Sequence, residues 1–352
     1  MPMTANAQRG VALLTILLLV VSITVVAGAM LASQKVAIRR SGLLFDQNQL
    51  LQDIDAGQQL AVTMIRADNK LNDTDGAKDI WAQPIPPYAL ANHSVSVEIR
   101  DEASRFNLNN LYWNGSVDPA ALEVLQRLLT QLNLEPDIAV AILDWQDADR
   151  EVYQDGGDES AVYTQQLNSS VDGSLPNQPF VSVDQLRDVR GVDADALALM
   201  RPYLTAVPYY LPININTASP ELLAALVDGA TSQQMQALVD TRTEQPLTSI
   251  DALWQLPSLS GLDEKQRAAL TPLLAVDSQA FTALITATDN AAGGQARQRF
   301  ATVLISKTAV SDDQQSSNNQ PSNNITDGNV DRNQPKEVKV MTQRLWAFRP
   351  SF

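Results

Sequence analysis

The chain has 352 residues, a net charge of −15 and a sequence pI near 4.4. That length allows two or three domains with buried cores, while the acidity argues against nucleic acid as a partner, since phosphate binding wants clustered Lys and Arg. The absence of Cys excludes disulfides, thiolate metal sites and Cys nucleophiles.

From Arg9 to Ser33 the chain reads RGVALLTILLLVVSITVVAGAMLAS, with no charge between Arg9 and Lys35. At a rise of about 1.5 Å per residue, roughly 20 such residues cross a bilayer core as a helix. Thr15, Ser22 and Thr24 can satisfy their hydroxyls on the helix's own carbonyls. Composition alone fits a signal anchor or a secretory signal peptide. Against the peptide, no small-residue cleavage site with a change of pattern follows. Arg9 precedes the segment, whereas Lys35, Arg39 and Arg40 follow it, a count that by itself would place the large domain in the cytoplasm.

Beyond it, Leu43, Leu44, Leu50, Leu51, Ile54, Leu60, Val62 and Ile65 recur at helical spacing, with Gly42 and Gly57 as tolerable interruptions. One helix over 11–66, with 11–33 in the membrane, would be on the order of 80 Å long. Residues 69–87 are polar and proline-rich and predict a loop. Ser94–Arg100 alternates as a strand with one buried face. Phe281–Asp289, Gln298–Ser306 and Glu337–Phe348 are further strands, the first two joined by a Gly293-Gly294 turn. The Ser/Asn/Gln-rich run at 311–335 is a disordered loop between strands.

Between these sheet-forming pieces, 111–275 is dense in helix starts. Asp118 stands before Pro119, Ser182 pairs with Gln185 and Thr231 with Gln234 at capping-box spacing, and Ser219-Pro220-Glu221 opens another helix. The segment also repeats itself. Ser182–Leu186 matches Ser249–Leu253, Arg201–Leu204 matches Thr271–Leu274, and Phe106-Asn-Leu-Asn109 matches Ile213-Asn-Ile-Asn216. These matches predict two copies of one multi-helix unit, about 107–204 and 214–275.

Chemistry concentrates in one stretch, Leu143-Asp-Trp-Gln-Asp-Ala-Asp-Arg-Glu-Val-Tyr-Gln-Asp-Gly-Gly-Asp-Glu159. Asp147, Asp149, Asp155 and Glu159 are the best ligand candidates for a hard cation, with Asp144 and Asp158 beside them. Calcium takes six to eight oxygens at about 2.3–2.6 Å from such flexible loops, although the spacing is not that of an EF-hand. A merely solvated acidic loop is the other reading. No GxSxG, P-loop, GxGxxG or HExxH pattern occurs. The lone His93 is expected at the surface, so no enzyme is predicted. Asn214–Leu223 resembles the opening of a helix–hairpin–helix unit. Its hairpin at Asp228–Thr231 has one Gly beside an Asp, and the next, Ser258–Gly261, has no basic neighbour before Lys265. A structural scaffold fits these hairpins better than a DNA-binding one.

The short leader ending in Arg9-Gly10, followed by an uncleaved-looking apolar helix, resembles a type IV pilin-like leader. With DE…RFNLN at 101–109, LDWQDAD…GGDE and NINTASPELL, the whole chain resembles the K-type minor pseudopilins of bacterial type II secretion. The resemblance implies an α+β fold, in which a long N-terminal helix packs on a small antiparallel pilin-like sheet. A large all-α domain at 111–275 is inserted in that sheet, and 67–110 with 276–352 make the head. It implies that prepilin peptidase removes the leader 1–10 after Gly10 and that Val11 is N-methylated. Thr15 stands where most pilins carry Glu. It further implies calcium near the acidic loop and a single inner-membrane span with the large domain in the periplasm. The implied place is the pseudopilus tip, with I- and J-type minor pseudopilins above the major pseudopilin filament. A membrane-anchored DNA receptor and an unrelated signal-anchored calcium-binding protein are the alternatives.

Overall fold

A computed structural model describes residues 5–90, 92–156, 175–256, 259, 261–290, 296–309 and 336–352. Helix α1 (Ala5–Leu71) is a single element, longer at both ends than the predicted 11–66. No proline falls inside it, so nothing removes a backbone donor or forces a kink. Its first half is exposed along every side, from Leu13 through Phe45, whereas Leu50, Ile54, Ala61, Val62 and Ile65 are buried.

The buried half lies on an antiparallel sheet ordered β1 (Tyr88–Leu90), β2 (His93–Asp101), β9 (Ala280–Asp289), β10 (Arg297–Ala309), β11 (Lys336–Trp346). Burial alternates along β2, with Val95 and Val97 turned to the helix and Ser94 and Ser96 away from it. Val97 lies opposite Ile285 in β9, and Val303 of β10 opposite Ala283, so one apolar face spans the central strands. Gly57 is more than an interruption. A Cβ there would stand 2.6 Å from Ile285 Cγ2 and 3.1 Å from Val95 Cγ1, so α1 presses close against the sheet at this point.

Two loop expectations change. Asn69 to Leu71 complete α1, and Ile80–Ala82 form a 3-10 turn that buries Trp81 edge-on against Phe281, ring centroids 5.0 Å apart. His93 is not a plain surface residue. As the first residue of β2 it sits beneath α1, its Nδ1 3.1 Å from Oδ2 of the buried Asp53.

The chain leaves the sheet at Asp101 and returns at Ala280. In between it forms helices α2 (Pro119–Gln131), α3 (Ile138–Asp144), α4 (Ala194–Met200), α5 (Pro220–Ala225), α6 (Ser232–Glu244), α7 (Ile250–Trp254) and α8 (Glu264–Leu270). It is not purely helical. Three pairs of two-residue strands occur among the described residues: β3 (Phe106–Asn107) with β6 (Leu204–Thr205), β4 (Tyr112–Trp113) with β5 (Ser116–Val117), and β7 (Ile213–Asn214) with β8 (Leu274–Ala275). The β3–β6 and β7–β8 pairs are parallel and join the start of each sequence repeat to its end.

The starting residues act as caps. Asp118 accepts from the Ala120 and Ala121 amides, Ser219 from Leu222, and Ser182 with Gln185 and Thr231 with Gln234 close capping boxes. Leu125, Leu129 and Ile142 share one core with Leu222, Met235 and Leu253, so both repeats fold around common apolar packing. The 293–294 turn and the 311–335 run lie outside the described residues.

Candidate functional site

Two regions carry the residues singled out by sequence. The first is the apolar half of α1. Gly10 and Val11 lie inside the helix, and Val11, Leu14 and Leu18 are exposed, as is Thr15 one turn on from Val11. Ser22 Oγ donates to the Leu18 carbonyl and Thr24 Oγ1 to that of Val20, both at 2.7 Å, so these hydroxyls need no outside partner in an apolar medium.

The second is the acidic loop after α3. Asp144 ends that helix fully buried, and its Oδ1 accepts from the Tyr153 amide at 3.1 Å, which folds the loop back on itself. Trp145 stacks on Phe180 with centroids 5.8 Å apart, anchoring the start of the loop to the core. Asp147 is buried, yet its Oδ1 has no hydrogen-bond partner. Burial, and then the nearby Asp149 and Asp144, raise its pKa to about 7. Asp149 is exposed; its Oδ1 accepts from the Glu151 amide at 2.9 Å, and its carbonyl takes the Asn177 side chain at 2.8 Å. Gln154 and Gly156 both have positive φ, which turns the backbone sharply next to the exposed Asp155. Asp158 and Glu159 lie outside the described residues.

Sequence reasoning missed Gln146. Its amide nitrogen donates to the Leu108 and Ile142 carbonyls, at 3.1 and 3.0 Å, and its buried Oε1 has no partner. Nothing in the sequence separated this Gln from a surface one. The Asp147 carboxylate oxygen and the Gln146 amide oxygen, both buried without hydrogen-bond donors, are of the kinds that a hard cation such as calcium takes as ligands. Asp149 and Asp144 both act electrostatically on Asp147.

In the helix–hairpin–helix-like unit, α5 and α6 are joined through Gly229 at positive φ, and the Thr231 side chain takes the Gln234 amide in the first turn of α6. Arg242 of α6 is buried and donates to the Ile215 and Ala218 carbonyls; it braces the unit rather than facing outward. Of the second hairpin, 258 and 260 lie outside the described residues.

Models of the family "Type II secretion system (T2SS), protein K" match residues 104–209 and 213–277, a division that falls between the β3–β6 and β7–β8 clasps. Type II secretion system protein K of Klebsiella pneumoniae is 30% identical over 293 residues, covering 79% of this chain and 87% of the relative. This chain belongs to the type II secretion system protein K family. The Pseudomonas aeruginosa protein K is 32% identical over 231 residues, spanning 62% of this chain and 68% of that one. A chain of the crystal structure of the GspK-GspI-GspJ complex from enterotoxigenic Escherichia coli shares the fold, with 23% identity and a TM-score of 0.69 over 87% of this chain and 99% of its own. The protein is thus a minor pseudopilin, a structural component of the secretion system. Its long apolar N-terminal helix is consistent with membrane anchoring.

Proposed function

We propose that this protein caps the pseudopilus tip and helps initiate its assembly with I- and J-type minor pseudopilins, in support of export of folded proteins across the outer membrane. The observation that carries this reading is where the bulk sits. Asp53 of α1 meets His93 at the start of β2, and Arg297 at the start of β10 reaches Asp46 at 2.9 Å, so that end of the sheet faces the apolar half of α1. The segment between Asp101 and Ala280 departs from the opposite end. A slender helix below and a broad mass above suit a terminal subunit, because a further subunit stacked above would collide with that mass.

Thr15 supports the same reading. It offers no carboxylate to a neighbour's N-terminal amine, so a subunit above it would lack that charge pairing. The relative of like fold was crystallised as GspK with GspI and GspJ, which supports the same partners here. In this reading prepilin peptidase cuts after Gly10, Val11 is N-methylated, and the head lies in the periplasm. Calcium is held at Asp147, Asp149, Asp155 and Glu159, with Asp144 and Asp158 as further ligands, and the cation would neutralise and order the loop.

Intact-mass analysis of membrane-extracted protein, with and without prepilin peptidase, tests the processing; a start at Met1 in the presence of peptidase would exclude it. Coexpression with the I- and J-type partners tests the tip complex, expected as a stoichiometric ternary assembly. A protein that copurifies only with the major pseudopilin would overturn the tip reading.

A further inference from the structure

Outside the acidic loop, a second group of carboxylates converges where α1 ends. One oxygen from each of Asp68, Asp75 and Asp79 lies within 4.8 Å of the others. Ligands on a shell of about 2.4 Å radius are at most about 4.8 Å apart, so this spread fits one calcium-sized ion. Asp68 and Asp75 are both 1% exposed, and Asp79 is half-buried.

The existing partners use up only part of the group. Asp75 Oδ2 accepts from the Ser278 amide at 2.7 Å and from the buried Lys307 ammonium, while Asp75 Oδ1 is buried with no partner at all. Asn72 donates to Oδ1 of Asp68 at 2.9 Å and of Asp79 at 3.2 Å, and the Gly76 amide donates to Asp79 Oδ2 at 2.6 Å. Three carboxylates therefore face one ammonium. Asp68 also sits in the last turn of α1, where the exposed helix carbonyls already concentrate negative potential. Burial, then Asp79 and Asp75, push its pKa up to about 6, and burial raises that of Asp79. A dication would neutralise the repulsion among the three carboxylates and occupy the orphaned oxygen of Asp75.

We propose that Asp68, Asp75 and Asp79 form a divalent-cation site, of calcium's hard-oxygen class, that locks the end of α1 to the sheet and to the inserted segment. The lock reaches both. Lys307 belongs to β10, and the Asp75 carbonyl accepts from Asn214 at 3.0 Å, the residue that opens the second repeat. The site is independent of the acidic loop and does not rest on the tip reading.

The test uses the full-length protein in detergent, with calcium ion alone as the probe. An Asp147→Asn/Asp149→Asn variant removes central ligands of the acidic loop. It should retain bound calcium and a calcium-dependent rise in Tm. Adding Asp79→Asn should weaken the remaining binding by more than about tenfold and abolish the rise. In EDTA, Asp79→Asn should unfold no earlier than wild type, because it removes one of several like charges; Asp68→Asn gives a second, independent variant. Calcium binding that vanishes in the acidic-loop variant, or that survives unchanged in both Asp79→Asn and Asp68→Asn, would overturn the site.

Discussion

The two repeats of the inserted segment solve one problem with the same side chain and then diverge. In the first, Asn109 accepts from the Phe180 amide at 2.8 Å and donates to the Phe180 and Val207 carbonyls, at 2.9 and 2.8 Å. In the second, Asn216 accepts from the Leu247 amide at 2.8 Å and donates to the Leu247 and Val276 carbonyls, at 3.0 and 3.1 Å. Phe180 and Leu247 each stand two residues before a helix-capping serine, Ser182 or Ser249. One amide thus ties the capping end of each repeat to its closing strand. The preceding Asn is where they part. Asn107 bonds to Val207 and Tyr209, just past the closing strand of its repeat, whereas Asn214 turns to the Asp75 carbonyl and the Ser278 hydroxyl. The first repeat carries the acidic loop; the second carries this polar link to Asp75 and Ser278.

The largest test of this equivalence is to remove the shared amide. Asn109→Ala and Asn216→Ala each strand buried backbone groups, and each should cost about 3 kcal/mol by the usual worth of lost and orphaned hydrogen bonds. Urea unfolding of the full chain reads both. A harmless Asn216→Ala beside a damaging Asn109→Ala would break the comparison. Asn214→Leu should cost about 2 kcal/mol and also speed hydrogen exchange around Asp75 and Ser278, a signature that Asn107→Leu should lack.

Proton linkage sets the first repeat apart from the exit of the sheet. Asp101, at the exit from the sheet, is buried between Ser278 and Thr217, and burial drives its pKa up to about 7 despite those hydrogen bonds. Asp147 in the first repeat is likewise raised to about 7, by burial and then by Asp149 and Asp144. For such groups the folded state binds protons more tightly than the unfolded state. Their favourable contribution is present at and below the unfolded pKa near 4, and it is lost as pH rises from there to about 7. Calcium-free protein should therefore unfold at higher temperature at pH 5 than at pH 7.5. Asp101→Asn should remove part of that slope with or without calcium. Asp147→Asn should flatten it only when calcium is absent, since bound calcium would already have neutralised that carboxylate. Equal calcium sensitivity for both variants would contradict the separate roles.

The legible parts of this molecule were those with a period or a local signature. The α1 apolar run, the alternation of β2, the caps at Asp118, Ser182, Ser219 and Thr231, and the matched FNLN and ININ strings are all local. What escaped reading depends on long-range convergence. Gly57 gave no hint that Ile285 would press against it, and His93 none that Asp53 lay above. Asp68, Asp75 and Asp79 read as ordinary polar residues of a helix end and a loop, because only the turn after α1 brings them together, with Lys307 arriving at Asp75. The acidic loop was visible as composition, but its buried Gln146 was not, since burial there follows from the docking of α3.

The smallest difference between the repeats is at their matched serines, and it can be engineered away. Ser182 accepts from the Asp184 amide while Gln185 Oε1 accepts from the Val181 and Ser182 amides, at 2.7 and 3.2 Å, which closes a reciprocal cap. Ser249 caps the Ala252 amide at 3.3 Å, but residue 252 is Ala and cannot reach back. The second repeat thus keeps half of the device. Ala252→Gln should restore the other half and stabilise the protein by about 0.5 kcal/mol, whereas Ser182→Ala should cost about 1 kcal/mol. Both shifts are readable as changes in urea midpoint with an unchanged slope. A loss on Ala252→Gln would mean that the half-buried site at 252 has no room for the longer side chain, and that the second repeat traded its cap for closer packing.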